Sequence, residues 1–223
     1  MILNRETIAR AGLVLLDRHG AEKLTMRSVA AALGVQAPAL YWHVKNRRDL
    51  VDAMADAMFG DAVDNFDLST PQWDRFLAEG ARVLRREMLR YHQGARILAG
   101  TATSRAADLT EPMLNVMTKA GFSLADAARL APTIFHYTIG FTIEQQTRDG
   151  FEYPESNPYS EENMRSHVDM ATHPTVAQAF SELYDPDFDA DFEDGLAVII
   201  DGLRARLRGK RASPAPRVTT RHK

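Results

Sequence analysis

Residues 25–48 read TMRSVAAALGVQAPALYWHVKNRR, and their reading decides the fold. Thr25 is suited to cap a helix, because its hydroxyl can accept an orphan amide hydrogen of the first turn. Met26, Val29, Ala30 and Leu33 follow at i, i+3, i+4 and i+7, one apolar stripe on a two-turn helix, with Arg27 on another face. Gly34 can take the left-handed conformation that stops this helix, and a second one, from about Gln36 to His43, can begin within three residues at a steep angle. This is a helix-turn-helix pattern. Ala37, Ala39, Leu40 and Val44 suit inward packing, whereas Gln36, Pro38, Tyr41, Trp42 and His43 crowd into a short segment next to Lys45, Arg47 and Arg48. Amides, rings and cations in that arrangement fit a major-groove reader: some reach base edges and others hold phosphates. The plainer alternative is a surface turn in which Tyr41 and Trp42 are packing anchors.

Working outward, Ile8, Ala11, Gly12, Leu15 and Leu16 predict a helix over about 4–19, stopped by Gly20, that completes a three-helix domain over 1–48. Asn46 is placed to cap a connecting helix over 49–66, with Asp49 in its first turn and Leu50, Ala53, Met54, Ala57 and Met58 as its buried stripe. The rest, to 208, predicts an all-α domain. Thr70-Pro71 marks a helix start, with Trp73, Phe76, Leu77, Ala81, Leu84 and Met88 facing inward. A short element near Arg96, a helix over about 110–120 and a long helix over 124–149 follow, the last opened by Ser123. Residues 150–160 carry two prolines and read as a loop. A short helix over 175–184 and a final helix over 191–208 end the domain, and 209–223 read as a basic disordered tail.

Charge is divided along the chain. Residues 1–50 carry 8 Lys/Arg against 4 Asp/Glu, residues 51–203 carry 11 against 26, and residues 204–223 carry 8 against none. A duplex is therefore attracted to the N-terminal part and to the tail, and repelled by the middle. No apolar run of the length a membrane span needs occurs, and no signal-peptide pattern opens the chain. The lack of cysteine excludes disulfides and thiolate metal sites and fits a cytoplasmic protein. No HExxH or similarly spaced catalytic motif is present, so neither catalytic residues nor a metal or cofactor are expected. His136 reads as a buried or pocket histidine.

The words LGVQAPALYWHVKNRRDL, GFSLADA and FHYTIGFTIE resemble the TetR family of bacterial repressors, and the likeness extends to about Arg208. The resemblance implies a homodimer on a palindromic operator, released by a small-molecule inducer. It implies that Arg27 reaches a guanine, that Gln36, Pro38 and Tyr41 meet bases or methyl groups, and that Thr25, Trp42, His43, Lys45 and Arg47 hold the backbone. Ala37 stands where a glutamine would make a bidentate adenine contact, so the operator should differ there. The dimer is implied to form a four-helix interface from the long and last helices, with Leu196, Ile199, Ile200 and Leu203 on it.

Tetracycline-responsive members of the family hold the drug and magnesium with polar residues. The matching positions here are Val63, Gly80, Leu84, Leu98, Ala102 and Thr103, while Thr101, His136 and Glu144 keep their identity. Leu98 replaces the metal-ligating histidine, and hard cations need oxygen donors that aliphatic side chains lack. The expected effector is instead bulky and mainly apolar, such as a natural-product antibiotic or its precursor. Leu84, Leu98, Met113, Met117, Phe135, Ile139 and Phe180 are the expected wall, with Thr101, His136 and Glu144 as polar handles. The alternatives are that these residues simply fill the core, or that a helical domain with a DNA-docking module binds a protein partner or performs chemistry.

Overall fold

The structure, a computed structural model, describes residues 2–101, 103–151, 153, 155–184 and 187–212, with only the backbone for 210–212, and among these every regular element is helical. Helix α1 (Arg5–His19) opens on a capping box in which Asn4 and Thr7 satisfy each other's amides. Its buried face is Ile8, Ala9, Gly12, Leu13 and Leu16, rotated from the expected stripe, so that Ala11 and Leu15 are only half-buried. A later helix lies across it and sets that rotation: a Cβ on Gly12 would come within 2.8 Å of the Met54 sulfur.

A 3₁₀ turn (Ala21–Lys23) leads into α2 (Met26–Ala32), where Thr25 and Ser28 form a second capping box. Gly34, at φ 68°, turns the chain, and the Val35 amide closes the turn on the Ala30 carbonyl at 3.0 Å. Helix α3 (Ala37–Leu40) is shorter than the expected 36–43. The amides of His43 and Val44 both donate to the Leu40 carbonyl at 2.9 Å, so residues 41–43 tighten into a turn rather than extend the helix. Asn46 then caps α4 (Arg47–Asp64) through the Asp49 amide. The expected stripe of α4 is buried, and so are Ala55, Phe59, Ala62 and Val63, because this helix is enclosed from two sides.

The remaining helices are α5 (Trp73–Leu89), α6 (Gly94–Leu98), α7 (Ala106–Ala120), α8 (Leu124–Leu130), α9 (Pro132–Arg148), α10 (Glu161–His167), α11 (Pro174–Gln178), α12 (Phe180–Tyr184) and α13 (Phe188–Ala212). Several departures from the sequence reading have local causes. Gln72, not Thr70, precedes α5, and it makes no side-chain cap. Helix α7 starts earlier than expected, at Ala106. The expected helix over 124–149 is two helices, since Pro132 has no amide to donate and sits at the start of α9, where that loss is tolerated. The expected helix over 175–184 breaks at Ala179, and α10, capped by Ser160, lies in a stretch where no helix was expected. Residues 209–212 extend α13, and the rest of the expected tail, 213–223, lies outside the described residues.

Two cores hold these helices together. The first runs unbroken from Ile8 and Val29 through Met54 and Met58 of α4 to Leu84, Leu98 and Ile139, so packing does not stop at residue 48. The second joins Trp73 and Leu77 to Met117, Ile134 and the α13 residues Phe192, Leu196, Ile200, Leu203 and Leu207. Helix α13 approaches α9 closely at Gly195, where a Cβ would meet the Tyr137 hydroxyl oxygen at 2.3 Å, and that hydroxyl donates to the Phe192 carbonyl at 2.9 Å.

Candidate nucleic-acid interface and ligand cavity

The helix-turn-helix buries Leu24, Met26, Val29, Ala30, Leu40 and Val44 against α1 and α4, which leaves its polar side outward. Thr25, Arg27, Gln36, Pro38 and Lys45 are exposed there, with Ala37 and His43 half-buried. Trp42 is 89 % exposed and Tyr41 51 %, so neither is the packing anchor that the plainer alternative required. Arg27 and Lys45 make no ion pair among the described residues, whereas many other arginines of the chain are paired. Arg47 is placed differently from expectation. Its guanidinium donates to the carbonyls of Leu24 at 3.1 Å and Ala21 at 3.2 Å, so it ties the start of α4 to the turn before α2.

The junction behind the reader is pinned by Arg5 of α1, which donates to the His43 and Asp49 carbonyls and pairs with the Asp49 carboxylate at 2.7 Å. That carboxylate also accepts the Lys45 amide at 2.7 Å. The amide first, and Arg5 second, hold the Asp49 carboxyl below its ordinary range despite partial desolvation.

A cavity of about 400 Å³, lined from residues 59–138, lies between α4, α5, α7, α8 and α9. Leu84, Thr101, Met113 and Phe135 line it as expected, joined by Phe59, Phe76, Leu77, Gly80, Leu109 and Ile134. Other expected members lie elsewhere. Leu98 and Ile139 are buried in the first core, Met117 in the second, and Phe180 is buried under the Arg165 guanidinium, and none of the four lines the cavity. His136 and Glu144 are exposed on the opposite side of α9, and Glu144 pairs with Arg148 at 3.0 Å. Both point away because α9 turns Ile134, Phe135 and Thr138 inward, and positions 136 and 144 fall outside that arc. The polar residues lining the cavity are Thr101, Thr103, Thr110 and Thr138. Thr138, which sequence reasoning missed as a lining residue, follows Phe135 at i+3 and could have been found by continuing that face.

The segment from Ala99 to Arg105 joins cavity to reader. Thr101 and Thr103 line the cavity, while the same segment is tied to the outer side of α4. Arg48 donates to the Gly100 carbonyl at 3.0 Å, the Ser104 amide donates to Asp56 at 2.6 Å, and Arg105 pairs with Asp64 at 2.9 Å. Helix α4 is also held to α1 by Arg10, which grips the Asp61 carboxylate with both guanidinium arms.

The expected dimer residues need a correction. Leu196, Ile200 and Leu203 are buried inside their own chain against Trp73 and Leu77, so they cannot meet a partner, and Ile199 is half-buried. The apolar residues α13 does expose are Ala190, Ala197, Val198 and Ala205, and α9 exposes Thr133, His136, Gly140 and Glu144.

Residues 8–54 match the model of the tetR family of bacterial regulatory proteins, and residues 67–207 match that of the tetracyclin repressor-like C-terminal domain. The chain belongs to the TetR family. It is similar to the tetracycline repressor protein class A from transposon 1721 of Escherichia coli, at 38% identity over 220 residues, 96% of this chain and 97% of the relative. Among solved structures, a possible TetR family transcriptional regulator from Streptomyces coelicolor A3(2) is 34% identical with a TM-score of 0.79, covering 91% of this chain and 99% of that one. BioQ of Mycobacterium smegmatis, solved with its double-stranded DNA operator, is 26% identical with a TM-score of 0.64, covering 91% and 98%. As a TetR-family member this chain is a DNA-binding transcriptional regulator of helix-turn-helix type, and among its described residues no helix is long and apolar enough to cross a membrane.

Proposed function

We propose that two copies of this chain hold a palindromic operator through residues 25–48 and let go when an apolar small molecule fills the cavity. The observation that carries this reading is a double attachment: Thr101 and Thr103 line the cavity, and their neighbours Gly100, Ser104 and Arg105 grip α4, the helix that begins at the reader. A ligand that favours a shifted 99–105 segment would tilt α4 and change the spacing of the two readers. On a duplex these should meet half-sites about one helical turn, ~34 to 36 Å, apart.

Tetracycline with magnesium fits this cavity poorly. The described lining offers no imidazole and no carboxylate, and Leu98, at the position of the family's ligating histidine, is buried in the core. The two-domain division at residue 48 remains part of the proposal as a functional boundary only, since the core crosses it. The chain is read as a regulator without catalysis of its own: His136 and Glu144 sit on an exposed helix face away from the cavity.

The test is operator selection from a random duplex pool, followed by fluorescence anisotropy on the selected site with a compound library, with magnesium added or withheld. Palindromic enrichment and release by apolar compounds in either condition are expected. Strong release by tetracycline only when magnesium is present would overturn the ligand reading, and DNA binding indifferent to every compound would favour the docking-module alternative.

A further inference from the structure

The threonines of the cavity restrict what can bind there more than its apolar wall does. Thr101 donates its hydroxyl proton to the Ile97 carbonyl at 2.7 Å, Thr110 to Ala106 at 2.8 Å and Thr138 to Ile134 at 2.8 Å, each to its own chain a turn back. A hydroxyl has one proton and two lone pairs, so Thr101 and Thr110 can still accept a hydrogen bond but can donate a second only by abandoning the first, whereas the Thr138 hydroxyl is fully buried and out of a ligand's reach. Thr103 alone of the four makes no side-chain hydrogen bond among the described residues and keeps its proton available. None of the described lining residues is charged. Buried polar atoms of a ligand need partners, and an ionised group in such surroundings would find no opposite charge.

Resting on the reading of this cavity as the effector site, we infer that the effector is an uncharged, ring-bearing molecule that presents hydrogen-bond donors, phenol or alcohol O–H groups, to an acceptor-rich wall. Phe59 and Phe135, edge to face at 6.5 Å, together with Phe76 and Met113, supply surfaces for the rings. The single available donor, Thr103, accommodates one ligand acceptor. An ether can accept from Thr103 but donates nothing to the wall's acceptors, so it forgoes the hydrogen bond the phenol makes, and a carboxylate meets one donor and no cation for its charge.

Matched triplets test this with the full chain: 2-naphthol, 9-phenanthrol and 1-hydroxypyrene, each with its methyl ether and the corresponding carboxylic acid, titrated by ring fluorescence and by thermal shift. The best-fitting ring should bind as the phenol at least about tenfold more tightly than as the ether, a difference of about 1.4 kcal/mol, and the carboxylate should not bind measurably. In a Thr101→Val, Thr110→Val double variant the phenol and the ether should become equal, because valine keeps the shape and removes the acceptors. An ether or carboxylate that binds as well as the phenol overturns the inference, as does a preference that survives the double variant. Failure of every ring system, in all three forms, would instead overturn the apolar-effector reading on which it rests.

Discussion

The reader at residues 25–48 and the cavity are opposites in how they treat polar chemistry. The reader is contiguous, its core residues are local, and it turns cations and rings outward with few internal partners. The cavity is assembled from segments spread over residues 59–138, excludes charge, and spends its hydroxyl protons on its own backbone. Substituting the exposed face should therefore leave stability alone and change DNA binding, whereas substituting the cavity wall or its neighbours should do the reverse.

The largest effect tests that division at a residue just behind the cavity. Leu98 is 2 % exposed within the first core, so Leu98→Arg would bury a cation with no partner. A loss of more than about 4 kcal/mol is expected, enough to unfold a marginal domain. Chemical denaturation measures it, and a folded variant with normal stability would mean that position 98 opens to solvent or to the cavity. Next comes the wall itself. Phe76 is buried and meets Phe66 edge to face at 4.8 Å, and Phe76→Ala should cost about 3–5 kcal/mol. Trp42→Ala, on the exposed reader, should change stability by no more than about 0.5 kcal/mol while weakening operator binding. Equal losses of stability from the two would dissolve the contrast.

The same contrast explains what could be read from the sequence. Thr25, Gly34 and Asn46 act within three or four residues of themselves, so caps and turns could be assigned from spacing alone, and the structure places all three as expected. The cavity depends on how α9 is rotated against α5 and α7, which periodicity does not determine when apolar residues cover most of a helix. His136 and Glu144 were chosen for likeness, and only the packing of Ile134 and Thr138 decides that they face outward. Helix α13 failed in a similar way. Leu196, Ile200 and Leu203 form an apolar stripe that suits either the protomer's core or a partner, and Trp73 and Leu77 claim it for the core.

A third prediction sharpens the reader's own division of labour. Arg27, exposed and without an ion pair among the described residues, is proposed to read a base, whereas Arg47 is occupied by the Ala21 and Leu24 carbonyls. Arg27→Ala should cost roughly 1 to 3 kcal/mol of operator affinity, concentrated at one base pair. Arg47→Ala should loosen the junction and weaken every site alike. Binding to operators substituted one base pair at a time separates the two, and uniform weakening by Arg27→Ala would demote it to a backbone contact.

The smallest effect concerns acid, and it lies where the reader meets the rest of the fold. Asp49 accepts the Lys45 amide and the Arg5 guanidinium, and its carboxyl is held below the ordinary value, near 3.9 for an aspartate. A depressed carboxyl in the folded state means that the unfolded chain takes up the proton first as pH falls. The stabilisation is therefore complete above the ordinary aspartate value and is lost as pH drops through the lower folded value. Asp49→Asn, which removes the titrating group and the ion pair, should lower stability at pH 6 and lose less of it between pH 5 and pH 2 than the parent chain does. Urea denaturation across that window measures the two slopes. Parallel slopes would mean that the Arg5–Asp49 clamp contributes no pH dependence, and that the reader is held to α4 by the burial of Leu40, Val44 and Leu50 and by the Arg47 hydrogen bonds.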